Sequence, residues 1–371
     1  MTSQSIKTKL VQLGNKTDNV TGAVNPPVHF STAYIHQGLG ESTGYDYTRT
    51  KNPTRTILED GIAQLESGDM GFACSSGMAA IQLVLSLFQP GDEIILQDDI
   101  YGGTYRLLDH YTKTYNIKTL YTDFHDLSKL TSLITENTKA IFIETPTNPL
   151  MQEIDIQEVA NIAERYNLIL IVDNTFLTPY FQRPIELGAN IIIHSATKYL
   201  GGHNDVLAGL VVAKGETICE TLATNHNSAG AVLSPFDSWL TIRGLKTLAL
   251  RMEKHVENAK KVVQFLKNDS RILDVLYPNK GGMLSFRIKK SEWVDTFLKN
   301  LQLIVFAESL GGVESFITYP VTQTHADIPE DERNKRGVCD RLLRFSVGIE
   351  EADDLIHDLK QSLESCEAYH N

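Results

Sequence analysis

The 371-residue chain is 42% hydrophobic and 22% charged, enough apolar material for a large core divided over two or more domains. Its formal charge of −12 disfavours nucleic acid or an anionic membrane as the main partner and points to small ligands held in a local pocket. No apolar run reaches the roughly 18–20 residues of a membrane span, residues 1–15 lack the apolar core of a secretion signal, and Cys74, Cys219, Cys339 and Cys366 form no Cys-x-x-Cys pair, so a cytoplasmic protein with reduced thiols is expected.

The first fifty residues carry no convincing core pattern. A short helix-like start leads to Asn25-Pro26-Pro27 and a polar, aromatic and glycine-rich run, so residues 1–50 are expected to form an arm. Within it, Tyr45-Asp46-Tyr47-Thr48-Arg49-Thr50-Lys51 places two tyrosines, an arginine and a lysine just before an amphipathic helix that starts near Thr54. The stretch reads either as a solvated connector or as an arm whose guanidinium reaches an anion on a neighbouring subunit.

From Met70 to about residue 215, short β-runs alternate with helical patterns. Helices are expected at 79–88, 101–115, 127–134 and 156–166, and strands at 93–96, 117–121, 140–144, 168–173, 191–194 and 207–213. Such alternation implies an α/β fold with a mostly parallel sheet, whose right-handed crossovers set the strand carboxyl ends along one edge. Polar clusters follow those ends: Glu144 to Pro149, Asp173-Asn174-Thr175, and Ser195-Ala196-Thr197-Lys198. A cleft is expected there, because open α/β sheets bind ligands outside the carboxyl ends of their strands.

Lys198 stands in the last of these clusters, between the apolar run Ile191 to Ile193 and the pair Gly201-Gly202. It reads as a surface lysine on a loop or as a catalytic amine at the cleft. Cys74-Ser75-Ser76-Gly77-Met78 runs straight into a helix, which suits either an ordinary N-cap or a phosphate seated on free N–H groups. No Walker-type loop occurs, and the glycine pairs lack the spacing of a dinucleotide fingerprint. One cofactor accounts for an isolated lysine, a phosphate cup at Ser76-Gly77-Met78 and an aspartate at a strand end: pyridoxal 5'-phosphate, with Lys198 for its aldehyde and Asp173 for its ring nitrogen. Tyr101 follows the strand at 93–96 at a suitable place to stack on the ring. His194 and His203 could instead be read as metal ligands, but strand-end histidines are more often structural and no carboxylate-histidine spacing accompanies them.

Beyond residue 215 a long helical pattern at about 239–267 precedes a smaller α/β unit, in which 340–350 alternates like a strand around Arg344. The chain therefore reads as a large domain at 51–243 and a small C-terminal domain at 244–371. Taken alone, Arg344 fits an ordinary ion pair.

The motifs Tyr47-Thr48-Arg49 with Asn52-Pro53-Thr54, Ser76-Gly77-Met78-Ala79, Tyr101-Gly102-Gly103-Thr104, Glu144-Thr145-Pro146-Thr147-Asn148-Pro149, Val172-Asp173-Asn174, Ser195-Ala196-Thr197-Lys198-Tyr199 and Ser309 to Ser315 occur in this order over almost the whole chain. In this the sequence resembles the Cys/Met-metabolism PLP-dependent enzymes, with Lys51 a departure where many members carry glycine. The resemblance implies the aspartate aminotransferase type of fold and a homotetramer built from two active dimers. It further implies cofactor attachment at Lys198, ring contacts from Asp173 and Tyr101, and phosphate contacts from Gly77, Met78, Ser195 and Thr197. Tyr47 and Arg49 would reach the same phosphate from the partner subunit. Arg344 would clamp the substrate α-carboxylate, supported by Ser309, while Asn148 would meet the ring oxygen. Glu308 favours γ chemistry. The implied reaction is γ-replacement on O-acetyl- or O-succinyl-homoserine with cysteine, giving cystathionine in methionine biosynthesis. Sulfide is an alternative nucleophile, and γ- or β-lyase action on cystathionine is the alternative reaction.

Overall fold

The computed structural model describes residues 4–326 and 328–370, the last without its side chain. Its strands are β1 (Met70–Cys74), β2 (Glu93–Gln97), β3 (Lys118–Thr122), β4 (Thr138–Glu144), β5 (Ile169–Asp173), β6 (Ile191–Ser195), β7 (Gly209–Ala213), β8 (Ile272–Leu276), β9 (Met283–Ile288), β10 (Val305–Phe306), β11 (Phe316–Thr318) and β12 (Leu342–Ser346). The helices are α1 (Ile6–Gln12), α2 (Pro53–Glu66), α3 (Gly77–Leu85), α4 (Gly102–Tyr115), α5 (Leu127–Ser132), α6 (Ile156–Arg165), α7 (Thr178–Phe181), α8 (Glu216–Ala229), α9 (Pro235–Lys246), α10 (Leu248–Asn268), α11 (Trp293–Asn300), α12 (Glu330–Lys335) and α13 (Ala352–His370).

Seven strands form the large sheet in the order β1-β7-β6-β5-β4-β2-β3. Its central strands are apolar on both faces because both faces are covered. Ile141, Ile143, Val172, Ile192 and Val212 pack with Leu58 and Ile62 of α2 and Val159 of α6. Their alternates Phe142, Ile171, Ile193 and Val211 pack with Ile81 and Val84 of α3 and Leu222 of α8. Strand β1 and helix α8 have no counterpart among the sequence expectations.

One strand runs against the sequence reading. β7 is antiparallel to both β6 and β1, so its amino end, not its carboxyl end, lies at the binding edge. The reason is the connection: residues 196–208 carry no crossover helix, and without one the chain returns antiparallel. The consequence is useful, since Gly209 pairs with Cys74 on one side and Ser195 on the other. A Cβ at Gly209 would fall 2.0 Å from Ser76 O, so the missing side chain lets the phosphate-cup loop lie against the Lys198 strand.

The helical stretch at 239–267 is two helices, broken at Thr247. Arg251 takes over the end of α9, donating from Nη2 to Gly244 O at 2.7 Å and from Nε to Thr247 Oγ1 at 3.0 Å. Packing changes partners along α10: Leu248 and Met252 belong to the large core, Val262 and Leu266 to the small one. The small sheet, β10-β11-β12-β9-β8, alternates as expected around residue 344. Leu343 and Phe345 of β12 enter its core, which leaves Arg344 on the opposite face. That face meets the loop that follows β4, where Ser285 Oγ donates to Pro149 O at 2.7 Å.

Helix α1 is anchored, because Leu10 is fully buried in the large core. After it the chain is largely exposed up to Asn52, whose Oδ1 accepts from the N–H groups of Thr54 and Arg55 and caps α2.

Candidate active site

The carboxyl ends of β4, β5 and β6, the amino end of α3 and the inner face of β12 enclose one pocket. Every site residue expected from sequence lines it except Tyr47 and Arg49, which lie in the arm.

Lys198 enters from the turn after β6, where its N–H donates to Ser195 O at 3.1 Å. Burial in the pocket brings its amine down to about 8, Arg344 pushes the same way, and Glu308 opposes. The turn is held from outside by Arg251, whose Nη1 donates to Tyr199 O at 2.7 Å.

The floor of the pocket carries two carboxyl groups on adjacent strands. Asp173 ends β5 directly opposite Glu144 at the end of β4. Asp173 is raised above the usual carboxylate range, chiefly by burial, and is opposed by hydrogen bonds from Thr175, whose N–H donates to Oδ1 at 3.0 Å. Glu144 is raised further, by burial and then by Asp173, and its Oε2 accepts the N–H of Tyr101 at 3.0 Å. Two anions side by side in a buried floor repel, so the pair favours one proton between them. Tyr101 itself is held up by burial, then by Glu308.

The cup is built by glycine. A Cβ on Gly77 would fall 2.8 Å from Ser195 Cβ and Oγ, so only glycine lets the start of α3 close on β6. Ser76 Oγ accepts from Ala79 N at 3.0 Å, which leaves the first-turn N–H groups of Gly77 and Met78 without a partner inside the helix. The Thr197 hydroxyl is engaged on both sides by Ala208, donating to O at 3.1 Å and accepting from N at 3.0 Å.

Arg344 is 2% exposed, and burial lowers it to about 10. Nη1 donates to Asn148 Oδ1 at 3.0 Å, and Nη2 to Ser309 O at 3.2 Å and Thr318 Oγ1 at 3.0 Å. All three acceptors are neutral, and Nε is buried with no partner. Among the described residues no carboxylate pairs with it within ion-pair distance, unlike the ordinary ion pair that the residue alone suggests. A buried guanidinium with an orphaned N–H is a receptor for a carboxylate.

These features fit pyridoxal phosphate. The glycine-shaped cup offers unpaired N–H groups, the half-buried Asp173 is placed for a protonated ring nitrogen, Tyr101 supplies an aromatic face, and Lys198 has a depressed amine. The histidines are otherwise engaged: His194 Nε2 lies 2.6 Å from Glu66 Oε1 in a fully buried pair, and His203 Nδ1 lies 2.8 Å from Gly201 O.

Sequence reasoning assigned no role to Glu144, Thr175 or Thr324, all of which line the pocket. Glu144 was legible as part of a strand-end cluster, and Thr175 from its place two residues after Asp173. Thr324 carries no local signal; it is brought in because Gly102 lets Thr324 O approach to 2.2 Å from where a Cβ would stand.

Tyr47 is half exposed, and its ring lies under Arg49 at 5.7 Å. Arg49 donates through Nη1 to the backbone oxygen of Asn227 and to its Oδ1, the latter at 3.0 Å.

Residues 7–364 match the model of the Cys/Met metabolism PLP-dependent enzymes. The chain is 63% identical to the cystathionine gamma-synthase/O-acetylhomoserine (thiol)-lyase of Bacillus subtilis, over 97% of each chain. To the cystathionine gamma-lyase of the same organism it is 48% identical, over 97% of this chain and 99% of the other. Among solved structures, cystathionine gamma synthase from Xanthomonas oryzae pv. oryzae in complex with cystathionine is 38% identical, with a TM-score of 0.97 over 99% of this chain and all of that one.

Proposed function

The chain belongs to the Cys/Met metabolism PLP-dependent enzyme family, and within it we propose γ-replacement: an O-acylhomoserine and cysteine give cystathionine and the free carboxylate. The observation that carries this reading is the joining of Lys198, Asp173 and an unpaired buried Arg344 in one pocket, in a chain 63% identical to a synthase but 48% identical to a lyase of the same organism.

Bound in this pocket, pyridoxal phosphate supplies the electron sink that makes protons at the substrate's α- and β-carbons removable. The chain's own groups do the rest. Gly77, Met78 and Ser195 line the phosphate cup, with Thr197 behind them. Asp173, as an anion, stabilises a protonated ring nitrogen, while Glu144 holds the proton of the carboxyl pair and keeps Tyr101 in place through its N–H. Arg344 grips the α-carboxylate, with Asn148 and Ser309 fixing the plane of the fork. Lys198, neutral in an appreciable fraction at neutral pH, takes the α-proton and passes protons at the β-carbon. The acyloxy group leaves the γ-carbon as a carboxylate, the thiolate of cysteine forms the new C–S bond there, and Lys198 returns the protons. Glu308, exposed at the rim, suits the ammonium of the incoming cysteine.

This reading places the arm's Tyr47 and Arg49 at the cup of a neighbouring subunit in a homotetramer, with a large domain at 51–243 and a small one at 244–371. Four free cysteines, three of them buried, accord with a reducing cytoplasm. Sulfide is the second nucleophile to consider, because the Bacillus subtilis relative also bears the name of a thiol-lyase. The test offers O-acetyl- and O-succinyl-homoserine with cysteine, with sulfide or alone, and offers cystathionine alone. Cystathionine from an O-acylhomoserine and cysteine is the expected main product. Breakdown of cystathionine, without net synthesis under any pairing, would replace this reading with a lyase.

A further inference from the structure

Residues 45–51 belong to no helix or strand, yet besides the bridge between Tyr47 and Ala33 the backbone around Arg49 is fixed from two further directions. From below, Arg55 of α2, 1% exposed, donates through Nη1 to Thr48 O at 2.8 Å and through Nη2 to Arg49 O at 3.0 Å. Its Nε lies 3.3 Å from Glu59 Oε1, which accepts the N–H of Ala73 in β1 at 3.0 Å. From the side, Asn227 in the last turn of α8 accepts Arg49 Nη1 on its backbone oxygen and on Oδ1, and its Oδ1 also accepts Thr50 Oγ1 at 3.1 Å. The carbonyls of a helix's last turn lack intrahelical partners and favour a cation. Arg49 Nε and Nη2 have no partner among the described residues, so the guanidinium is oriented by one edge and keeps the other for an anion.

We propose that Arg55 and Asn227 are positioning residues that hold Tyr47 to Arg49 in the form in which the arm completes the phosphate cup of the neighbouring subunit. The proposal rests on the shared-arm reading above. An arm left loose would have to order itself each time the cup closes on phosphate; held by Arg55 and Asn227, it is ordered before the subunits meet. The effect of either residue is therefore felt in the neighbour's site and not in its own.

The test separates the two sites. A limiting amount of chain with intact Lys198 is assembled with a large excess of Lys198→Ala chain, so that nearly every live site receives its arm from the excess chain. Loss of the absorbance of lysine-bound cofactor is then followed after dilution into a scavenger. With Asn227→Ala or Arg55→Lys in the excess chain, release is expected to quicken roughly tenfold, the loss of one preorganised contact. With the same substitution in the limiting chain, it is expected to stay unchanged. Arg49→Ala in the same two arrangements is the reference. If Arg49→Ala acts from the excess chain while both other variants are silent there, or if their effect follows the limiting chain, the positioning role is overturned and the shared arm stands. If Arg49→Ala does not act from the excess chain, the shared arm itself falls and the proposal with it.

Discussion

The amine of Lys198 and the guanidinium of Arg344 show how one pocket tunes two cations differently. Burial lowers both, but Arg344 starts so high that about 10 still leaves it charged, whereas Lys198 at about 8 is poised between forms. Arg344 is also the second force on Lys198, so the residue proposed to grip the substrate's carboxylate also disfavours the ammonium form of the lysine. Glu308 works in the opposite direction by favouring the ammonium form. Replacing it with Gln removes a carboxylate that raises Lys198, so the amine should titrate below its present value of about 8. In apo-protein, modification of Lys198 by an amine reagent, followed at the labelled peptide across pH, should show its midpoint moving to lower pH in Glu308→Gln. A midpoint that stays or rises would remove Glu308 from the electrostatics of Lys198. That Lys198 and Asp173 would line one pocket was legible from their position at strand ends. The unpaired state of Arg344 was not, because an ion-pair partner, or its lack, is a property of the far side of the fold.

At the scale of elements, the turn that carries Lys198 depends on a glycine for room as well as for conformation. Gly202 has φ +74°, and a Cβ there would lie 2.1 Å from Arg251 Nη1, the group that holds Tyr199 O. Gly40 has a similar φ of +78° but nothing within 4 Å of a Cβ. The two positions therefore separate backbone strain from lost space. Gly40→Ala should cost about 1 kcal/mol, the strain alone. Gly202→Ala should cost about 3 kcal/mol or more, since it also drives a buried arginine off two carbonyls. Denaturant unfolding of the two apo-variants should show this gap; equal losses would mean that Arg251 yields without penalty. The same neighbourhood explains two misread elements. The direction of β7 had a sequence signal, the lack of any helical pattern between Lys198 and Gly209, but alternation of β-runs elsewhere masked it. The break at Thr247 had none, because Thr247 is unremarkable in a helix and the interruption is made by Arg251 one turn later.

For the whole molecule, the order of motifs along the chain announced the two-sheet architecture and most of the pocket, since both depend on local patterns recurring in a fixed sequence. The arm was harder. Leu10 is buried in the core and Ile6 is only partly buried against it, too small a signal to tell an anchored helix from a loose one, and the stretch that follows exposes apolar residues that one chain leaves uncovered. Val20 is 94% exposed, Ile35 82% and Leu39 105%, with Phe30 at 68%. Scattered single apolar residues on a surface mean little, but this concentration in an extended segment is what the proposed shared arm requires, a surface that another copy would cover. Full burial of such side chains is worth roughly 1.5–3 kcal/mol each, so in the proposed assembly two of them would decide whether subunits remain together on dilution. Ile35→Ser with Leu39→Ser should therefore shift the assembly toward smaller species in sedimentation velocity at micromolar concentration, and should hasten cofactor loss on dilution. Since neither residue touches the core of its own chain, each separated subunit should keep its far-UV spectrum. A double variant that sediments as the wild type does would show that this part of the arm lies outside the interface, and would leave only the Tyr47 to Arg49 segment to join one subunit to the next site.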